Sequence, residues 1–407
     1  MSIHYKKTSE HKVLRDPVHG YINVEDAVIW ELIDSKEFQR LRRIHQLGGT
    51  FQVYHTAEHS RFGHSLGVYE VARLMIENVK GLKIALSETE RVAVLCAALL
   101  HDVGHGPFSH SFESVTSVNH EAYTDKIILE SSSEIHQILH RADGNLPQMV
   151  ADIISHRHKR ELLTQIISSQ LDADRMDYLL RDSYFTGVSY GEFDLFRILR
   201  TLRVVDDELV VKESGIHAVE DYIMARYQMY WQVYLHPTSR AYESILHMIF
   251  KRLKDVAFEK PEILNMLPLF KNLLLNDEVS VEDHFYLDET TCMYGFMMLM
   301  NSEDEVLRDL TTRLVNRDLF KYQDVESEAM IESISTEVES KGYNPRYYVV
   351  MDYMTQILYK PYDEHEGPKP IRVLKNQELV ELSSASQIVK GFVLQEDKED
   401  FKVFYPE

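Results

Sequence analysis

The stretch His101-Asp102-Val103-Gly104-His105-Gly106-Pro107-Phe108-Ser109-His110 decides how this chain is read. It follows an apolar run, Val92 to Leu100, in a segment that opens Ser87-Glu88-Thr89-Glu90. A serine and a glutamate at that spacing form a capping box, in which hydroxyl and carboxylate satisfy the free amides of a helix start. The helix that follows, Arg91 to Leu100, is apolar nearly all round, so it is expected to be buried. Its end delivers His101 and Asp102. Gly104, Gly106 and Pro107 then stop regular helix and make a tight loop. Adjacent His and Asp at the end of a buried helix are costly to desolvate unless something pairs with them. A divalent cation removes that cost, because imidazole nitrogen and carboxylate oxygen both ligate borderline or hard metals.

A lone His-Asp pair is weak ground, since a satisfied core histidine is the commoner outcome. Three further features strengthen it. Arg61-Phe62-Gly63-His64-Ser65-Leu66-Gly67-Val68 puts another histidine at the start of an amphipathic helix that runs on through Ala72 and Ile76. Leu171-Asp172-Ala173-Asp174-Arg175-Met176-Asp177-Tyr178 puts carboxylates on a later helix otherwise built from Leu, Met and Tyr. Four of the 20 histidines in this 407-residue chain (101, 105, 110 and 120) fall within 20 residues. Such clustering favours a site over scattered core histidines.

The length points to two or three compact units at roughly 100–200 residues each. The formal charge of −21 argues against a general nucleic-acid binder, which normally carries a basic footprint. Much of the acidity is local: residues 277–339 hold 17 Asp/Glu against 4 Lys/Arg, and read as a solvated helical surface. No run reaches the ~18–20 apolar residues of a membrane span, and the N-terminus lacks the apolar stretch of a signal peptide. Two cysteines, Cys96 and Cys292, make no disulfide framework, so a reduced, cytoplasmic setting is expected. Further helices are expected at Asn119–Glu130, Leu146–His156, Leu162–Ser183 and from Val219 into Lys254. Beyond Lys341, segments at Arg346, Ile371 and Asp400 are rich in aromatic and β-branched residues and read as strands. The fold class is mainly α with a smaller β-containing C-terminal section. The expected divisions are 1–260, 261–345 and 346–407.

The order of these motifs resembles the HD-domain deoxynucleoside triphosphate triphosphohydrolases, which include bacterial enzymes and the vertebrate sterile-alpha-motif HD protein. The resemblance starts near Lys12. It takes in Asp16-Pro17-Val18-His19-Gly20, the segment Phe38–Gly49, the three motifs above and Ser239–Glu243, roughly the first 250 residues. It implies an HD-domain helical core and one divalent ion, Mn, Fe, Mg or Zn, held by His64, His101, Asp102 and Asp174. Asp172 remains a rival ligand. It further implies phosphate contacts from Arg61, His105, His110 and Arg175, and a general acid, His120, oriented by Glu113. A plain exposed carboxylate is the competing reading of Glu113. Tyr178 and Asp182, one helical turn apart, would contact the 3′-hydroxyl, Gln46 and Leu47 the sugar, and Tyr242 the sugar and base.

Lys12, Asp34, Gln39 and Arg42 match positions that bind an activating dGTP or GTP in the allosteric members, against an ordinary surface of helix and arm. The implied activity is hydrolysis of a dNTP, with Mg on its phosphates, to deoxynucleoside and inorganic triphosphate. The implied assembly is a homo-oligomer, a tetramer, with no membrane or nucleic-acid partner. Competing expectations are another HD phosphohydrolase (a nucleotide phosphatase, phosphodiesterase or nuclease) and a catalytically silent nucleotide-binding regulator.

Overall fold

The computed structural model describes residues 5–108, 110–113, 119–276, 279–356, 369–394 and 398–407. It is mainly helical. A two-stranded hairpin, β1 (Lys7–Asp16) and β2 (Gly20–Asp26), leads into helix α1 (Ala27–Asp34). Two long helices follow, α2 (Arg61–Asn78) and α3 (Glu88–Leu100). Ser87 accepts from the Glu90 amide and Glu90 returns the bond, so the capping box forms as expected. Every residue of α3 from Val92 to Leu100 is buried. The helix is therefore the central strut, and α2 packs along it.

Helix α4 (His120–Leu129) and helix α5 (Ala173–Thr186) complete the walls of the site. The expected helix from Leu162 to Ser183 is two helices, Glu161–Ile167 and α5. The break falls at Asp172, whose carboxylate accepts from the amides of Ser169 and Arg175, both at 2.6 Å. An aspartate that satisfies free amides starts a helix rather than continuing one. The stretch from Val219 into Lys254 is likewise divided into Ile216–Met229, a π-turn at Tyr230–Tyr234, and helix α6 (Pro237–Glu259). Pro237 supplies no amide and so belongs at a first turn.

The buried apolar residues form two clusters. One gathers β2, α1, α2, α3, α5 and Ile216–Met229; the other gathers α6 with the helices of residues 279–340. Phe108 and Phe112 join the second cluster, so the loop after His101-Asp102 sits on the seam between them. The 346–407 stretch is shared out. Lys398–Tyr405 is the central strand of a three-stranded sheet on the second cluster, antiparallel to both Lys321–Asp324 and Val350–Gln356. Arg372–Lys375 instead runs parallel to Glu208–Lys212 in a four-stranded sheet on the first. Residues 346–348, expected extended, lie in a short helix, Pro345–Tyr348, which Asn344 caps. Among the described residues no helix is long and apolar enough to cross a membrane. Cys96 and Cys292 are both buried and unpaired with each other.

Candidate metal and active site

Each metal-site residue arrives from an element whose packing fixes its direction. His64 lies on the first turns of α2, with 1% of its side chain exposed. Its Nδ1 faces Asp177 Oδ2 at 2.8 Å, and a carboxylate only accepts, so the proton sits on Nδ1. Nε2 then points at Asp174 Oδ1, 3.0 Å away. His101 follows the same logic: its Nδ1 lies 3.0 Å from the carbonyl oxygen of Ala98, leaving Nε2 buried without a hydrogen-bond partner among the described residues. Nε2 of His101 is 3.7 Å from Asp174 Oδ1 and 3.4 Å from Asp102 Oδ1. Two imidazoles and Asp174 thus converge within metal-binding range, with Asp102 beside them. This arrangement fits a divalent cation: lone pairs aimed inward, an unsatisfied buried nitrogen, and tautomers fixed from behind.

Asp174 has 30% of its side chain exposed, against 9% for Asp102 and 11% for His101, and so marks the open side. Asp172, the rival, is fully buried and its carboxylate caps α5. Burial acts to raise the Asp102 carboxyl, but His101, Arg61 and His105 outweigh it and hold it well below the usual carboxylate range. Arg61 Nη1 bonds Asp102 Oδ2, and His105 Nε2 lies 3.3 Å from Oδ1.

The backing of this wall was not assigned from the sequence. Asp177 takes His64, His19 Nε2 at 2.6 Å, and Arg181 through Nε and Nη2 at 2.9 Å each. Arg181 reaches on to Asp16 at 2.9 Å, and Asp16 caps the amides of Val18 and His19. Asp16, His19 and Asp177 stand inside motifs already singled out, and Asp177 sits three residues from Asp174, on nearly the same helix face. Gly67 makes the contact possible, since a Cβ there would come within 1.8 Å of Asp177 Oδ1.

The facing wall carries His120. Its Nδ1 lies 2.6 Å from Glu113 Oε1, which also accepts the His120 amide at 2.7 Å. The Glu113 side chain is 19% exposed. Burial disfavours the charged ring, but Glu113 prevails and the His120 pKa is raised above its ordinary 6.5. The His120 ring stacks on His105, centroids 3.9 Å apart. Burial and then Arg61 push His105 down to about 3, so a neutral ring lies against one whose charged form is favoured by Glu113. Gly104 allows this closeness: a Cβ there would come within 2.3 Å of both the His120 carbonyl and the Thr124 amide.

Other expected site residues distribute as follows. His110 begins a short helix, His110–Glu113, and its side chain lies outside the described residues. Arg175 reaches Asp172 at 3.4 Å, keeps a buried Nε without a hydrogen-bond partner among the described residues, and lines a cavity of about 500 Å³ with Gln165, Ser168 and Lys369. Tyr178 stands 6.5 Å from the His64 ring, and burial pushes its hydroxyl up to about 12. Asp182 is engaged by His59 at 2.7 Å and by the Tyr234 hydroxyl at 2.8 Å, which makes it a brace as well as a contact candidate. Gln46 keeps a buried Oε1 with no partner among the described residues, and Leu47 packs partly buried beside it. Tyr242 is buried beneath that segment, edge-on to Phe51 at 5.6 Å. Lys12, Asp34, Gln39 and Arg42 lie around α1. Lys12 stands 5.4 Å from the Trp30 ring, Gln39 bonds the Ile33 carbonyl at 2.7 Å, and Arg42 bonds Gln39 and covers Phe62 at 3.5 Å.

Two family models match the chain. One, described as the HD domain, covers residues 61–182; the other, described as the HD associated region, covers 193–407. The uncharacterised protein YwfO of Bacillus subtilis is 46% identical over 98% of this chain and 93% of its own length. The human deoxynucleoside triphosphate triphosphohydrolase SAMHD1 is 29% identical over 60% of this chain and 45% of its own. Among solved structures, a phosphohydrolase of Bacteroides thetaiotaomicron superposes with a TM-score of 0.85 at 29% identity, covering 98% of this chain and all of that one.

Proposed function

We propose, from the premise that this chain belongs to the HD-domain phosphohydrolase family that carries an HD-associated region, that it hydrolyses dNTPs to deoxynucleoside and inorganic triphosphate. The observation that carries this reading is the pairing of two walls. The His64–His101–Asp174 cluster adjoins the Arg61–Asp102–His105 group, and a His120 held by Glu113 stacks on His105. Support for the substrate comes from the relatives named as dNTP triphosphohydrolases.

His64, His101, Asp102 and Asp174 would hold the divalent cation, which supplies Lewis acidity at the α-phosphorus and a nucleophilic water near neutral pH. Arg61, His105, His110 and Arg175 bind phosphate oxygens. Arg61 and Arg175 bring charge, and the low pKa of His105 makes it a neutral hydrogen-bonding partner. The water oxygen bonds to the α-phosphorus as the bond from that phosphorus to the sugar 5′-oxygen breaks. His120 gives its proton to the departing 5′-oxygen, and Glu113 keeps that proton in place until then. Tyr178 and Asp182 orient the sugar at its 3′-hydroxyl, and Gln46 and Leu47 close on the 2′ side. Lys12, Asp34, Gln39 and Arg42 form the site of a regulatory dGTP or GTP in a homotetramer.

The test incubates purified protein with each dNTP across Mg, Mn, Fe and Zn, with and without dGTP or GTP. The expected products are nucleoside and inorganic triphosphate in equal amounts. Free phosphate or dNMP instead would favour another HD phosphohydrolase, and binding without turnover would favour a silent regulator.

A further inference from the structure

Glu289 belongs to no catalytic motif, yet its side chain is almost fully buried at the start of the helix Glu289–Leu299. Its carboxylate gathers three donors. Oε1 accepts from the His45 amide at 3.0 Å and from the Phe108 amide at 3.3 Å, and Oε2 pairs with His45 Nδ1. The donors come from two separate parts of the HD core. His45 directly precedes Gln46 and Leu47, while Phe108 follows the loop that carries His105. One carboxylate from the accessory section therefore fixes the spacing between the sugar-side segment and the phosphate-side loop.

Neighbouring contacts act in the same direction. Arg40 donates to the His105 carbonyl at 2.8 Å and to the Leu287 carbonyl at 2.5 Å. His284 Nε2 lies 3.0 Å from the Gly104 carbonyl, which can only accept. Arg43 pairs with Asp288. On the other side of Glu289, the His45 ring stacks on Phe51 at 5.6 Å, and Phe51 meets Tyr242. The segment so held includes Gln46, whose Oε1 is buried with no partner among the described residues. A buried acceptor of that kind is an open demand for a donor.

We propose that Glu289 is a positioning residue for the nucleotide sugar, setting the height of Gln46 and Leu47 over the phosphate loop and so the preference for deoxyribose. The proposal rests on the reading of the chain as a dNTP hydrolase. Charge-assisted bonds to a carboxylate are the strong ones, and truncating it strands the buried Phe108 amide and the part-buried His45 amide. A displacement of about 1 Å in a substrate-positioning group can cost about 10²-fold.

The experiment compares wild type with Glu289→Ala, Glu289→Asp and Glu289→Gln by steady-state kinetics on a dNTP, with the matching ribonucleotide as competitor. For Glu289→Ala the dNTP KM is expected to rise about tenfold, and selectivity over the ribonucleotide to fall about tenfold, with kcat within about threefold of wild type. Glu289→Gln keeps an oxygen for the two amides and is expected to recover most of the selectivity. Should Glu289→Ala not fold, Glu289→Asp, one methylene shorter, gives the same readout. An unchanged KM and selectivity overturn the proposal, as does a fall in kcat alone with selectivity intact, the signature of a merely structural role. A wild-type enzyme that turns over no dNTP would instead remove the underlying reading.

Discussion

The two sides of the candidate site use the same residue types with different depths of support. On the metal wall, His64 is held by Asp177, Asp177 by Arg181 and His19, and Arg181 by Asp16, all nearly excluded from water. On the acid wall, His120 is held by Glu113, which comes from a four-residue helix, and 23% of the His120 side chain is exposed. The first wall is over-determined and should resist distortion. The second is more local, with Glu113 bonded to the ring and the amide of a residue seven positions along the chain, which would suit a group that gives up and regains a proton. Burial and partner choice, not residue type, separate the two histidines.

The largest break in this comparison is Asp102→Ala. It should lower turnover by about 10³-fold or more, the scale of losing a group at the reacting centre, and abolish metal binding. Circular dichroism should report an unchanged helical fold, because Asp102 does not build the core. Breaking the acid wall with His120→Ala should cost about 10²–10⁴-fold in kcat, with metal still bound.

A sharper probe of the same wall is Glu113→Gln. Since Glu113 raises the His120 pKa above 6.5, the protonated form persists to higher pH in the wild type. Activity should therefore fall as pH rises through that raised value, and in Glu113→Gln the alkaline limb of the kcat profile should move to lower pH. An unmoved limb would deny His120 the acid's role. Asp177→Asn tests the depth of the metal wall: metal affinity should drop about 10–100-fold by titration, with kcat at saturating metal much less affected. The smallest effect on catalysis belongs to Arg42→Ala, which should erase the response to dGTP or GTP, a coupling of roughly 5–150-fold where such sites exist.

Much of the metal wall was legible in the sequence because chemistry and spacing coincide there. The capping box at Ser87, the apolar helix and the His101-Asp102 ending form as read. The support behind it was less legible. Asp16 and Asp177 lie 161 positions apart, and Arg181 bonds both of them. The acidic run 277–339 reads as solvated surface from charge alone, yet Asp288, Glu289 and Asp304 in it are buried and bonded. Charge density cannot tell an outward carboxylate from one that grips a distant loop. The hairpin Leu202–Val205 to Glu208–Lys212 was also missed. It turns at Asp206 and Asp207, both at positive φ, a conformation aspartate tolerates, and its parallel partner at Arg372–Lys375 is far along the chain.

The most direct test of the central claim follows oxygen. Hydrolysis of a dNTP in ¹⁸O-labelled water, read by phosphorus NMR and mass spectrometry, locates the bond that breaks. Attack at the α-phosphorus with the sugar 5′-oxygen leaving puts the label in inorganic triphosphate and none in the deoxynucleoside, which is the result expected here. Label in a dNMP, in free phosphate or in the nucleoside would contradict it.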